Sequence, residues 1–137
     1  MNVSDVMTTD VHVIGCNGTL REAAEMMRQH DIGSLPVSRD QKLVGMITDR
    51  DIVIRALADG LDGSCEVSRV MTGELQTCRA EDSVETAADR MSDLGVRRLP
   101  VVDREGRLVG FMSLSNVASA RQPAATQDML KGTACPH

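Results

Sequence analysis

Apolar positions along the chain fall into two spacings, and the same order of spacings runs twice. Leu20, Ala23, Ala24 and Met27 recur at i, i+3, i+4 and i+7, which predicts an amphipathic helix. Val84, Ala87, Ala88 and Met91 repeat that stripe. Thr19 with Glu22 three residues on predicts a capping box at the start of the first helix, and Asp82 with Glu85 is spaced for the same role in the second. A short apolar stretch at 11–14 precedes the first helix and predicts a strand. Two apolar runs follow it, at 34–37 and 43–47, separated by Arg39-Asp40-Gln41-Lys42. That pattern predicts a β-hairpin, and its later counterpart turns at Asp103-Arg104-Glu105-Gly106. A further helix is expected from Thr48 to about Ala58, ended by Gly60. Each copy therefore reads β-α-β-β-α.

The copies also match residue by residue. Val3-Ser4-Asp5-Val6-Met7-Thr8 recurs as Val67-Ser68-Arg69-Val70-Met71-Thr72. Ile32-Gly33-Ser34-Leu35-Pro36-Val37 answers to Val96-Arg97-Arg98-Leu99-Pro100-Val101, and Leu43-Val44-Gly45-Met46-Ile47-Thr48 to Leu108-Val109-Gly110-Phe111-Met112-Ser113. One inserted residue between the last two blocks falls where a hairpin loop absorbs it. Tandem duplication predicts a first repeat at 1–60, a linker at 61–66, a second repeat at 67–120 and a tail at 121–137 outside the periodicity. A repeat of about sixty residues buries little surface alone. The expected fold is therefore α/β (α+β), with two repeats sharing a core through a pseudo-twofold axis.

Charge and composition narrow the partners. The 137 residues carry 15 Lys and Arg against 20 Asp and Glu, for a net charge of −5. A phosphate backbone is gripped by a positive field, and single-stranded bases by aromatic platforms; this chain has one Phe and no Trp or Tyr. Nucleic acid is not an expected partner, and no apolar run is long enough to span a bilayer. The opening residues lack a cationic start followed by an apolar stretch, so a cytoplasmic location is expected. Cys16, Cys65, Cys78 and Cys135 form no C-x-x-C pair and read as free thiols. His12 and Cys16 lie four apart, but Gly15 and Gly18 around them argue for a loop, so no metal site is assigned. Met26, Met27 and Met91 lie on or beside helix stripes and read as gap-filling core. No Ser-His-Asp or Cys-His arrangement is suggested, and the chain reads as non-catalytic.

The repeated V-S-x-V-M-T, h-x-x-L-P-V and L-V-G-h-h-[TS] blocks resemble a tandem pair of CBS domains, a Bateman module, over about residues 1–120. His30-Asp31-Ile32-Gly33 and Thr48-Asp49-Arg50-Asp51-Ile52-Val53 are also similar to stand-alone bacterial CBS-pair proteins of the hypoxic-response type. The resemblance implies clefts between the two repeats for an adenosine-containing ligand (AMP, ATP or NAD), acting as regulator rather than obligatory cofactor. It also implies a homodimer and a regulated partner protein. No catalytic domain accompanies the pair, so the module is expected to be the entire protein.

Gly45-Met46-Ile47-Thr48-Asp49-Arg50-Asp51 matches the family's G-h-x-[TS]-x-x-D pattern. A carboxylate at the first turn of a helix can take both ribose hydroxyls, the Thr48 hydroxyl suits phosphate, and Gly45 permits close approach. Thr48 and Asp51 also suit a plain helix cap, but inside the repeated frame binding is the favoured reading. Arg50 completes that turn. The second copy offers Ser113, Ser115 and Asn116, so its ribose position loses the charge-assisted pair. Arg97 and Arg98 occupy the family's phosphate position, where the first copy has Gly33-Ser34; in a strand they point to opposite faces, and either is a candidate. Arg104 and Arg107 read as solvated. Val11, Val13, Ile32, Pro36, Val96 and Pro100 are candidates for the adenine wall, each also suited to ordinary core. Two other readings compete: a stress-related scaffold with degenerate nucleotide sites, and a thiol or metal sensor.

Overall fold

The computed structural model describes residues 1–121. Cys135, His137 and all but the first residue of the expected 121–137 tail lie outside the described residues. Two three-stranded sheets, each with helices, form two compact units of α+β type. The repeat-one unit comprises His12–Leu75 with Glu105–Leu108, and the repeat-two unit comprises Met1–Val11, Gln76–Arg104 and, among the described residues, 109–121.

In the repeat-one unit, β1 (Ile14–Gly15) pairs in parallel with β2 (Ser34–Arg39), which pairs antiparallel with β3 (Lys42–Thr48). The strand expected at 11–14 is thus shorter and later, because only Ile14 and Gly15 meet partners, at Val37 and Ser38. The tight hairpin turn places Asp40 and Gln41 in the left-handed region. Helix α2 (Leu20–His30) begins at the expected capping box: the Glu22 amide donates to Thr19 Oγ1 at 3.1 Å, and the Thr19 amide donates to Glu22 Oε1 at 2.9 Å. Leu20, Ala23 and Met27 are buried, whereas Ala24 is exposed. After β3 the chain winds as a wide i→i+5 helix at Asp51–Ala56, tightens to a 3₁₀ turn at Leu57–Asp59 and stops at Gly60, φ 80°. The expected regular helix from Thr48 to Ala58 is therefore irregular along its length. The 61–66 stretch docks rather than dangles, since Leu20 and Arg21 amides donate to the Cys65 and Gly63 carbonyls.

The repeat-two unit repeats the order with β4 (Cys78–Arg79), α3 (Val84–Leu94), β5 (Arg98–Val102), β6 (Leu108–Ser113) and α4 (Leu114–Arg121). Here all four stripe residues, Val84, Ala87, Ala88 and Met91, are buried. The capping expected of Asp82 and Glu85 is made by other groups. Ser83 is the N-cap, accepting from the Thr86 amide at 3.0 Å, while Asp82 accepts from the Arg79 amide in the preceding turn. Glu85 instead pairs with Arg121 at 2.7 Å, tying α4 to α3.

The opening V-S-x-V-M-T segments lie in the core of the opposite repeat. Helix α1 (Val3–Val6) buries Val3 among Cys78, Val84, Leu99 and Met112. Val67 and Val70, in a 3₁₀ turn and at its end, are buried with Leu20, Leu35 and Ile47. Each sheet core is thus completed by a segment borrowed from the other half of the sequence.

Candidate functional site

Thr48 closes β3, and the turn that follows holds a reciprocal pair. Its amide donates to Asp51 Oδ2 at 3.0 Å, and the Asp51 amide donates to Thr48 Oγ1 at 3.0 Å. The remaining Asp51 oxygen lies 3.8 Å from Arg55 Nε, and the carboxylate is largely buried. Ser113 and Asn116 reproduce the pair. The Ser113 amide and hydroxyl donate to Asn116 Oδ1 at 2.9 and 2.7 Å, and the Asn116 amide donates back to Ser113 Oγ at 3.2 Å. Such a box is worth about 1 kcal/mol to its turn. The Asn116 side-chain NH₂ is left without a partner among the described residues.

The strand beside each turn is held by an equivalent backbone bond. The Asp49 amide donates to the Gly33 carbonyl at 2.9 Å, and the Leu114 amide to the Arg97 carbonyl at 3.0 Å. Side chains at these matched positions differ in charge. A Cβ on Gly33 would meet Asp49 Oδ2 at 3.1 Å, so a carboxylate fills the space where position 33 would project. Arg97 in the other unit borders a surface pocket of about 460 Å³ with Ala88, Val96, Leu114, Val117 and Arg121. The Arg98 guanidinium lies 4.5 Å from the centroid of the Phe111 ring, a cation–π contact. Neither arginine side chain has an ion pair among the described residues.

Gly45 and Gly110 permit a close approach, but the approaching chain is the protein's own. Met46 and Thr72 exchange amide-to-carbonyl bonds at 2.9 Å, and a Cβ on Gly45 would lie 2.8 Å from the Thr72 carbonyl oxygen. Thr8 and Phe111 do the same at 2.9 and 2.8 Å, with a Gly110 Cβ at 2.7 Å from the Thr8 oxygen.

The sequence matches the CBS domain family over residues 3–57 and 67–122. The chain belongs to the CBS-domain family. As a CBS pair it is 44% identical over 117 residues to CBS domain-containing protein YhcV of Bacillus subtilis, covering 85% of this chain and 83% of that one. It is 37% identical over 134 residues to Hypoxic response protein 1 of Mycobacterium tuberculosis, covering 96% and 93%. A crystal structure of Hypoxic Response Protein I with two coordinated zinc ions superposes with a TM-score of 0.77 at 37% identity, covering 88% of this chain and 98% of that one. CBSX2 in complex with AMP, a CBS-pair protein from Arabidopsis thaliana, gives 0.74 at 29% identity over 93% and 98%. The CBS domain pair of MJ0100, in complex with 5′-methylthioadenosine and S-adenosyl-L-methionine, gives 0.69 at 29% identity over 88% and 94%.

Within each half of the CBS pair the candidates are distributed as follows. Thr48, Arg50 and Asp51 share one turn, with Arg50 exposed; Ser113, Ser115 and Asn116 share the other, with Ser115 exposed. Pro36 and Pro100 are buried within β2 and β5, Val11 and Ile32 are half-buried, and Val13 and Val96 are exposed. Arg104 and Arg107 pair with Glu81 and Glu105. Three features escaped the pattern-based reading: the Asp49–Gly33 contact, the Arg98–Phe111 contact and a stack of His12 on His30, centroids 3.6 Å apart. Each joins residues more than ten apart in sequence, and no local pattern signals it.

Two of the described thiols are buried. Cys16 is buried and its sulfur accepts from Arg39 Nε at 3.4 Å. Burial, together with the Asp82 charge, pushes the Cys78 thiol up to about 11, so it carries little thiolate at neutral pH. Among the described residues no group of three or more His, Cys, Asp or Glu is disposed to hold a metal ion, and no helix is long and apolar enough to cross a membrane.

Proposed function

We propose that this CBS pair is a non-catalytic regulatory module for an adenosine-containing ligand, AMP, ATP or NAD, held at the Thr48–Asp51 and Ser113–Asn116 turns. The observation that carries the reading is the twofold occurrence of that turn in a chain of this family, whose solved relatives include complexes with AMP and with 5′-methylthioadenosine and S-adenosyl-L-methionine. Asp51 Oδ1, not used by the turn, is the ribose acceptor. Thr48, Arg50, Arg97, Arg98, Ser113 and Ser115 serve the phosphate end, and Val11, Val13, Ile32, Pro36, Val96 and Pro100 the base. The ligand acts by favouring one arrangement of the module over another, read by an unidentified regulated protein in the cytoplasm.

Because the chain has no Trp or Tyr, the purified protein is nearly transparent at 280 nm. A co-purified purine would dominate the spectrum near 260 nm, and mass analysis after denaturation would name it. A ligand at 100 times its Kd adds about 2.7 kcal/mol to unfolding, a rise in Tm of roughly 5–15 °C for a domain of this size. Asp51→Ala is expected to remove most of the rise produced at the repeat-one turn. If no adenosine compound shifts the melt, the second reading takes over: a scaffold with degenerate sites, favoured by Asp51 and Asn116 both being engaged within their own turns.

The proposal includes a homodimer. Val53, Ile54 and Leu57 stay 53%, 53% and 63% exposed on the winding after β3, beside a small apolar groove formed by Leu20, Ala24, Ile52, Ala56 and Leu61. A second copy is the occupant this face suits, with Arg21 and Asp62 at the groove's rim offering opposite charges. Leu57→Glu is expected to convert the dimer to monomer in size-exclusion chromatography with light scattering. A monomeric parent chain would refute it.

A further inference from the structure

Each unit presents the same frame to whatever sits at its turn, yet the two frames carry opposite charge. The frame consists of the capped turn, the strand that begins beside it, and the backbone bond joining them. It is the same in both units to within 0.1 Å at that bond, 2.9 against 3.0 Å. In the repeat-two unit its variable positions hold Arg97 and Arg98, and residues 113–116 contain no carboxylate. Arg98 is held in place by the Phe111 face rather than by an acid, so its donors are not consumed by an ion pair. In the repeat-one unit the arginine positions are Gly33 and Ser34, the position of Phe111 is Met46, and the position of Leu114 is Asp49, whose carboxylate lies against Gly33. Asp31, at the left-handed C-cap of α2, adds a second acid just before that strand, where the other unit has Gly95. Arg55, the cation that follows in the same winding, lies beside Asp51; Arg50 is the single positive side chain there without a partner among the described residues.

We infer that the two repeats take different classes of adenosyl ligand, the repeat-two frame a nucleotide carrying phosphate and the repeat-one frame a nucleoside without phosphate, uncharged or cationic. This assignment rests on the adenosine-binding reading above and departs from it at one place: the repeat-one turn, where that reading sets Thr48 and Arg50 at a phosphate end, receives no phosphate. A phosphate placed near Gly33 would meet the Asp49 carboxylate at close range, a like-charge juxtaposition that disfavours binding. The same phosphate near Arg97 and Arg98 would gain charge-assisted hydrogen bonds. An uncharged 5′-substituent meets no penalty at Asp49, and a sulfonium or ammonium group gains from it.

Isothermal titration of the full chain with AMP and with 5′-methylthioadenosine tests this. Both compounds are expected to bind, and raising the salt should weaken AMP while leaving the thioether nearly unchanged, because only the former gains from charge. Arg98→Gln and Arg97→Ala together should cost AMP about tenfold or more in affinity relative to the thioether. Asp51→Ala should reverse that ratio. Asp49→Asn with Gly33→Ser, which removes the carboxylate while leaving Asp51 in place, should improve AMP binding at the repeat-one turn and add a second AMP to the stoichiometry. The salt series needs no variant and stands even if one fails to fold. If AMP and thioether lose affinity in parallel in every variant, or AMP loss tracks Asp51 rather than the arginines, the charge assignment is overturned while adenosine binding survives. If neither compound binds, the adenosine reading falls and this assignment with it.

Discussion

Val3→Asp is expected to unfold the repeat-two unit, although position 3 lies in the first repeat of the sequence. Val3 is fully buried against Cys78, Val84, Leu99 and Met112. Its neighbours are bound as well, with the Val3 and Ser4 amides donating to the Asp82 and Ala80 carbonyls at 2.8 and 3.0 Å and the Val84 amide donating to the Met1 carbonyl at 3.0 Å. An unpaired carboxylate there has no cation to meet and costs more than about 4 kcal/mol. Val3→Ala removes only two methyl groups and costs about 2 kcal/mol. Thermal melts would give the magnitude, and amide hydrogen exchange would give the place, with α3 and β5 losing protection first. If the loss fell instead on α2 and β2, the assignment of Val3 to the repeat-two core would be wrong.

The second large effect is at the paired glycines. Gly110→Ala would place a methyl group 2.7 Å from the Thr8 carbonyl oxygen and 2.8 Å from Met7 Sδ. The methionine can swing away, but the carbonyl belongs to a backbone already bonded in both directions to Phe111. Relief therefore means parting Thr8 from Phe111, and overpacking of this kind costs roughly 1–3 kcal/mol. Gly45→Ala meets the Thr72 oxygen and Met71 Sδ in the same way and should cost a similar amount. Gly15 has nothing within 4 Å of its added Cβ, so Gly15→Ala is the control and should change stability by no more than about 1 kcal/mol. Chemical denaturation of the three variants decides the matter, and a Gly110→Ala protein as stable as Gly15→Ala would contradict the account.

What could be read in the chain is what depends on neighbours. Thr19 and Glu22 mark the start of α2 because a capping box is closed within one turn, and the 34–48 hairpin follows from two apolar runs and a polar turn. Asp82 misled because an acid and a serine adjoin there, and only backbone geometry decides which becomes the cap. Ala24 and Ala88 share one stripe position, yet Ala24 is exposed and Ala88 buried, a difference set by what packs on each helix rather than by spacing. The turns at Thr48–Asp51 and Ser113–Asn116 were legible as candidate chemistry. The Asp49–Gly33 contact was not, since it joins residues sixteen apart across a strand pair. Least legible was the destination of the V-S-x-V-M-T segments. The partners of Val3 run from Cys78 to Met112, and no local pattern encodes a closure of that span.

That closure governs how the chain comes off the ribosome. Met1–Val11 belong to a unit whose strands and last helix lie beyond residue 76, so Val3 is translated long before the strands and helices it packs against. At about 5–20 residues per second, roughly 5–20 s pass before the remaining core of that unit has been made. The repeat-one unit waits as well, first for Val67 and Val70 and then for the turn at Glu105–Leu108. Neither half can close in the order in which it is written, and folding is set by long-range contacts, the slow kind. A nascent chain halted in the middle therefore holds two unfinished cores rather than one finished domain.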